Sequence, residues 1–380
     1  MRLRLRVFAA ALALAVQAMP AHAQGTLSNL GFGYPVGGKS IRATATGGAF
    51  GEFDPLSPVN PSSLGGLVRT VIGVQTEPEF RTVRAGSTTE KSTAQRVPLL
   101  MLAVPIRGGF AVGVSATTYL DRSYTTITRS DLVLNGSTVQ STDQNDVRGS
   151  IADLRIATGW QINARFKVGL GGHLFTGDNV LVRSRNFDDT TVFGSVLDSS
   201  RVIYFGTALS LGGEWSVGSG LAAMMSYRKG NGMDARVQDS IKTKGNVPNK
   251  LGLALRYDGI PGSIFSVGLD YQDWSRMAAL GSSRVETRDA TDWHAGAEVG
   301  GPRMRGLPIL MRAGVARNAL PFGVDGKLVN ETRWTGGFGL PVARDAASLD
   351  LSVQRANRTL VGGSAKESAW LFGVGIQIRP

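Results

Sequence analysis

Residues 369–378 read AWLFGVGIQI, and their pattern decides the fold. Trp370, Phe372, Val374, Ile376 and Ile378 alternate with Ala369, Leu371, Gly373, Gly375 and Gln377. An extended strand with this sequence has one greasy face and one small or polar face. Repeated along a Gly-rich chain behind a secretion signal, this two-residue period is what a transmembrane β-barrel requires, because lipid-facing and lumen-facing side chains alternate.

The start of the chain supplies the compartment. Arg2, Arg4 and Arg6 form a basic stretch, residues 7–16 an apolar one, and Ala21-His22-Ala23 a cleavage site, the signature of a secretory signal peptide. The apolar run is about ten residues, too short for the roughly 20 that span a bilayer as a helix. Cleavage after Ala23 is expected, giving residues 1–23 as signal peptide and export to the outer membrane of a diderm bacterium. With no Cys in the chain, a lipid anchor and disulfides are both excluded.

Bulk properties agree with a barrel. Mean hydropathy is -0.01 and no later segment is apolar for long enough to cross as a helix. The formal charge of +12 falls to +9 without the three signal-peptide arginines. For an exported chain the nearest polyanion is the lipopolysaccharide of the outer leaflet, which rim Lys and Arg can pair with; nucleic acid is not an expected partner.

Period-2 segments separated by turn residues number fourteen. They centre on residues 68–76, 96–106, 110–119, 151–162, 166–176, 202–215, 221–227, 250–257, 264–274, 291–299, 308–317, 333–341, 348–354 and 369–378. Connections alternate in length. Short ones at 107–109, 163–165, 218–220 and 343–345 are expected on the periplasmic side, and long ones at 121–149, 183–200, 229–249 and 318–332 outside. Asn135-Gly136 reads as a type I′ hairpin tip.

Alternation assigns faces. Ile203, Phe205, Thr207, Leu209 and Leu211 are predicted to face lipid, with Tyr204, Gly206, Ala208, Ser210 and Glu214 inside. Trp160, Trp215, Trp274, Trp293, Trp334 and Trp370 fall in or at the ends of strands, where aromatic girdles lie. The competing architecture, a soluble β-sandwich or propeller, would need a better inner core than this set of Gly, Ala, Ser and charge.

Between signal and first strand, residues 24–66 are rich in Gly, Pro and Ser yet carry apolar anchors such as Phe32, Tyr34, Ile41, Phe50, Phe53, Leu56 and Leu64. Such a segment should pack on something, and the barrel mouth and lumen are the surfaces available. Within it run Gly47-Gly48-Ala49, then Asp54, then Asn60-Pro61-Ser62. Asn60 suits a helix N-cap and Pro61 the first helical position.

This stretch resembles the start of the FadL superfamily of outer-membrane transporters, which carry a Gly-Gly-Ala-like run, an Asp and an Asn-Pro-Ala before the first strand. Here Ser62 stands for the Ala, and the chain ends Ile378-Arg379-Pro380 instead of on an aromatic residue read by the barrel assembly machinery. The resemblance implies a fourteen-stranded barrel (67–380) with an N-terminal hatch (24–66) and passive uptake of hydrophobic small molecules such as long-chain fatty acids. Its PorV-like relatives, carriers in protein secretion, give the alternative function. It also implies a wall interruption beside the hatch; in the family this lies in the third strand, and here Pro98 in the second is the candidate.

Catalysis is not expected. The mature chain has only His173 and His294, and neither G-x-S-x-G nor H-E-x-x-H occurs. Metal-ligand spacing is absent, and no cofactor is implied. Inward charges are nearly balanced: Asp153, Glu214, Asp270, Glu298 and Asp350 against Arg155, Arg228, Arg256 and Arg312. Paired charges bracing the hatch are the first reading; these arginines are also candidates for a carboxylate headgroup, and Phe175, Tyr204, Met224, Leu310 and Leu371 are candidates either for an apolar ligand or for contacts with the hatch.

Overall fold

The computed structural model describes residues 27–380 except 30, 86–87, 135–136, 189–193, 238–239, 281–284, 305, 325–326, 343–345 and 364. The signal peptide, the Asn135-Gly136 tip and the 343–345 turn therefore lie outside the described residues.

Fourteen antiparallel strands close into a barrel. In chain order the first seven are β1 (Val71–Ala85), β2 (Thr88–Arg107), β3 (Phe110–Asp121), β4 (Ser137–Gln161), β5 (Phe166–Phe187), β6 (Val196–Gly218) and β7 (Leu221–Val237). The rest are β8 (Lys250–Tyr257), β9 (Ser263–Gln272), β10 (Ala290–Met304), β11 (Leu307–Val324), β12 (Lys327–Val342), β13 (Ala347–Leu360) and β14 (Lys366–Ile378). β14 closes on β1 through a ladder from Lys366↔Arg84 to Ile378↔Ile72. Closure pairs the first strand with the last, as a bilayer demands because unpaired peptide groups in hydrocarbon are costly.

Face alternation follows the sequence pattern. On β6, Phe205, Leu209 and Leu211 are exposed while Tyr204, Ala208 and Ser210 are buried. On β14, Trp370, Phe372 and Val374 point out and Ala369 and Leu371 point in. Five of the six tryptophans are exposed on the outer wall. Trp274 is the exception: it opens a 3-10 helix, Trp274–Leu280, that folds back over the lumen, where it is buried with Met277 and Leu280. Its neighbours recur every third residue, the 3-10 period, so the side chains stack on one inward face.

Most strands run longer than the period-2 segments predict, chiefly at the long-hairpin end. The expected loops 121–149 and 318–332 are largely strand: Tyr124–Leu134 pairs with β4, and β11 and β12 stay paired past Asn318↔Glu331. β7 likewise continues to Val237, paired with Ser240–Asn246. Beyond the membrane neither face needs to be apolar, so the sequence period disappears while the ladder continues. At the other end Val68 is 85% exposed and precedes β1, which starts only at Val71.

Among the described residues the wall parts between β2 and β3. β2 and β3 are laddered from Arg107↔Phe110 to Leu99↔Thr117 and then part. Beyond Thr117, β3 keeps β4 on one side, while on the other Tyr34 pairs with Asp121 and Pro35 with Leu120. The N-terminal segment thus takes the edge that β2 gives up. Pro98 sits where β2 bulges against β1, between the Gln75↔Leu99 and Glu77↔Arg96 pairs, immediately before the parting. β3 itself breaks at Arg122 and Ser123 before resuming at Tyr124.

Candidate functional site

The described part of residues 27–66 threads the lumen from the long-hairpin end, where the Ser28 N–H donates to Glu367, to the short-turn end, where the Gly66 N–H donates to the Gly109 carbonyl at 3.2 Å. Its turns account for the motif residues. Ser40 caps the short helix Ile41–Ala45, accepting from the Ala43 N–H at 3.0 Å, and its own hydroxyl donates to Asp54. Asp54 also accepts from the Leu56 N–H at 3.2 Å. Gly47 adopts φ +69°, and a Cβ there would lie 2.7 Å from the Val315 carbonyl oxygen, so both conformation and space call for glycine. Gly48 is likewise left-handed, and Ala49 is buried with its carbonyl accepting from the Ser266 hydroxyl at 2.9 Å.

Asn60 is the N-cap of a 3-10 helix, Pro61–Leu64, its Oδ1 accepting from the Ser62 N–H at 2.9 Å. This turn presses on the wall where glycines face inward: Cβ atoms on Gly159, Gly169 and Gly212 would lie 2.5 Å or less from Gly65, Pro61 and Asn60. Charge holds the middle of the segment. Arg42 clamps Glu298 through two hydrogen bonds of 2.9 and 2.6 Å, and Lys39 lies 3.3 Å from Asp270. A short-turn-end cavity of about 350 Å³ is bounded by Arg42, Asp54, Leu310 and Arg312.

Glu52 is the weak point of this docking. Its Oε1 accepts from Ser226 at 2.9 Å, but its Oε2 has no hydrogen-bond partner among the described residues. Burial, reinforced by the Asp270 charge and opposed by Lys250 and Lys39, pushes its carboxyl up to about 7. A raised folded-state value means the folded protein holds a proton that the unfolded chain releases near 4.5, so stability falls as pH rises from about 4.5 to about 7. Heat-induced unfolding in detergent is expected at a lower temperature at pH 8 than at pH 5.5, and Glu52→Gln is expected to reduce that difference. An unaltered pH difference in Glu52→Gln would show that the carboxyl is already ionised.

The predicted ligand residues fall into three groups. Phe175 and Tyr204 join Phe32, Tyr119, Met233, Trp274 and Phe322 in a buried apolar cluster. Its rings form a chain: Phe175 to Tyr119 at 4.8 Å, Tyr119 to Trp274 at 5.5 Å, Trp274 to Phe322 at 5.4 Å and Phe322 to Phe32 at 5.3 Å. Arg228 lies over Tyr119 and Phe175 at 5.1 and 5.3 Å from their centroids. Met224 is elsewhere, packed on Phe50 and Phe53, with Arg256 over the Phe53 ring at 5.1 Å. Arg312 is committed to Glu298 and Asp350 at 2.6 and 2.5 Å.

Arg155 is the least committed of the four candidate arginines. Nε and Nη2 of Arg155 and Nε of Arg228 are buried without hydrogen-bond partners among the described residues. A cavity of about 60 Å³ lined by Tyr119, Asp153, His173 and Arg228 lies inside the wall parting, with Thr117 and Thr118 on its boundary. A second, of about 230 Å³, is lined by Phe32, Arg122, Tyr204 and Leu280 at the long-hairpin end. The aromatic chain separates the two. Sequence reading missed Tyr119, Trp274 and Phe322; for Trp274 the spacing Trp274, Met277, Leu280 is a signal that could have found it.

The lumen is also crossed by buried ion pairs. Arg358 contacts Glu79 at 2.7 Å, Glu331 at 2.6 Å and Glu367, and its guanidinium lies 4.7 Å from the Tyr34 ring centroid. Arg96, on β2, reaches Asp121, on β3, at 2.8 Å across the parting.

Known structures share this fold. A FadL homologue from Pseudomonas aeruginosa superposes with a TM-score of 0.62 at 11% identity, covering 90% of this chain and 98% of that one. The fold is that of the FadL-type channels. The Pseudomonas putida toluene transporter TodX follows at a TM-score of 0.58 and 12% identity, covering 90% of this chain and 98% of that one. The monoaromatic hydrocarbon channel CymD gives 0.54 and 13%, with 93% of this chain and 98% of that one covered. No protein-family model and no curated protein matches the sequence. At such identities the FadL-type fold is shared while side-chain chemistry is this chain's own.

Proposed function

We propose that this protein is an outer-membrane channel for passive, ATP-independent uptake of hydrophobic small molecules, with long-chain carboxylic acids as the class its arginines favour. One observation carries the reading: an aromatic chain in the lumen ends beneath the place where β2 and β3 part. Water-soluble cargo needs a wet pore and no such cluster, whereas an apolar solute needs both a dry resting place and a way into the bilayer. In this reading the molecule enters the cavity at Phe32 and Tyr204 from outside, passes the aromatic rings, and leaves sideways past Thr117 and Tyr119. Arg155 and Arg228 hold its headgroup, and residues 24–66 act as the hatch. That the known FadL-type structures include a toluene transporter and a monoaromatic hydrocarbon channel supports the substrate class.

The test combines content and flux. Organic extracts of the purified protein, compared with those of an unrelated barrel prepared identically, are expected to be enriched in a long-chain acid or another hydrophobe. An extract matching the control would favour the PorV-like carrier of secreted proteins. For the exit, Pro98→Val restores an amide N–H to β2 and allows the β2–β3 ladder to extend past Leu99↔Thr117. Uptake of a labelled long-chain acid is expected to fall severalfold with unchanged heat-modifiability; uptake at the parental rate would remove Pro98 from the exit.

A further inference from the structure

Three strands bring together residues that the sequence separates. His173 on β5 lies with Nδ1 2.9 and 3.0 Å from the two carboxylate oxygens of Asp153 on β4 and with Nε2 2.9 Å from the hydroxyl of Ser210 on β6. All three are at least nine-tenths buried. Because Nδ1 faces a carboxylate, that nitrogen carries the proton, leaving Nε2 as the acceptor of the Ser210 O–H. This is the order of contacts that activates a serine: nucleophile to base, base to an orienting acid.

A fourth group completes the arrangement. Arg155, two residues from Asp153 on the same inward face, keeps Nε and Nη2 unpaired although it is 5% exposed. Its Nε and the Ser210 hydroxyl both crowd the space over Gly171, at 3.1 and 2.6 Å from the position a Cβ would take. An unpaired guanidinium beside a serine is a ready donor for negative charge developing on a carbonyl oxygen. The cavity of about 60 Å³ beside the site is lined by His173 and Asp153, though not by Ser210 or Arg155, and Thr117 and Thr118, where the wall parts, lie on its boundary.

We propose that Ser210, His173 and Asp153 form an ester-cleaving site in the lumen, acting on acyl esters that reach the cavity. His173 takes the Ser210 proton as Oγ adds to the ester carbonyl carbon, and the oxyanion forms against the free N–H groups of Arg155. Collapse breaks the bond to the alkoxy group, which accepts the proton from His173 and leaves as an alcohol. Water then adds to the acyl-serine with His173 again as base, releasing a carboxylic acid and regenerating Ser210. Ser210 and His173 are the catalytic residues; Asp153 is a positioning residue.

The experiment uses the full chain in detergent with an alkyl fluorophosphonate, read by peptide mass spectrometry, and with 4-nitrophenyl butyrate. One adduct on Ser210 is expected, absent in Ser210→Ala. His173→Gln is expected to slow labelling on the order of 100-fold, the usual scale for a lost general base. Asp153→Asn is expected to slow it and to shift its pH profile, which a purely structural hydrogen bond would not do. Ser210→Cys places a sole thiol in a chain without Cys and is expected to react with iodoacetamide faster than a thiol introduced at buried Ser226. Folded, heat-modifiable protein without a Ser210 adduct, ester turnover that persists in Ser210→Ala, or equal alkylation of the two thiols would overturn the proposal.

Discussion

Arg358→Met is expected to lower the temperature at which the barrel loses its compact, heat-modifiable form more than any other single change considered. Arg358 is fully buried and is shared by Glu79, Glu331 and Glu367, so its removal leaves three carboxylates facing one another with Arg81, Arg96 and Arg333 as the remaining counter-charges. Breaking a buried ion pair from one side costs about 3–5 kcal/mol, because the remaining charge is left desolvated. Neutralising the acids along with the base should recover much of this loss. The combination Arg358→Met with Glu331→Gln and Glu367→Gln is therefore expected to melt above Arg358→Met alone. A melting temperature for Arg358→Met equal to that of the parent would mean that water reaches these carboxylates.

The second large effect is expected at Gly169→Val. A Cβ on Gly169 would lie 2.3 Å from the Pro61 carbonyl carbon and 2.4 Å from the Ser62 nitrogen, backbone atoms held in a capped turn. Neither side can yield: the wall strand is laddered on both edges and the turn is fixed by Asn60. The barrel should still close, since the outward face of β5 is unchanged, but residues 27–66 should lose their seat. Lys39 and Arg42, sheltered in the lumen by Asp270 and Glu298, would then become open to trypsin. A rise in cleavage of roughly tenfold or more is expected, corresponding to about 1.4 kcal/mol of lost docking energy. Equal protection in parent and variant would show that the turn can rearrange without releasing the segment.

How much of this was legible in the sequence depends on whether lipid had to be satisfied. Trp370, Phe372 and Val374 alternate with residues that pack against Ile41, and the bilayer imposes that period, so β14 and its thirteen companions can be read directly. Tyr124–Leu134 is equally regular strand, but it lies where water bathes both faces, and its Thr, Ser and Asp carry no period. Trp274 was misplaced for a related reason: it follows β9 in the sequence, yet the chain turns inward there and the indole joins the lumen cluster. The contact of Asp153, His173 and Ser210 was beyond sequence reading altogether. It depends on the register of three strands, with Asp153 opposite Phe175 and His173 opposite Ala208, and a slip by one residue would have turned His173 to the lipid.

The pairing of Tyr34 and Pro35 with β3 makes the inserted segment and the lateral gap two readings of one equilibrium. Past Thr117 the edge of β3 can bind either β2 or the segment, and the two compete for the same amide and carbonyl groups. Whatever zips β2 further along β3 must loosen the segment, and whatever seats the segment more firmly must hold the gap apart. By reciprocity of linked equilibria, a solute resting in the gap strengthens the hold on Tyr34 by the same factor that a well-seated Tyr34 favours the solute. The barrel thereby ties the gap in its side to the seating of the segment in its centre.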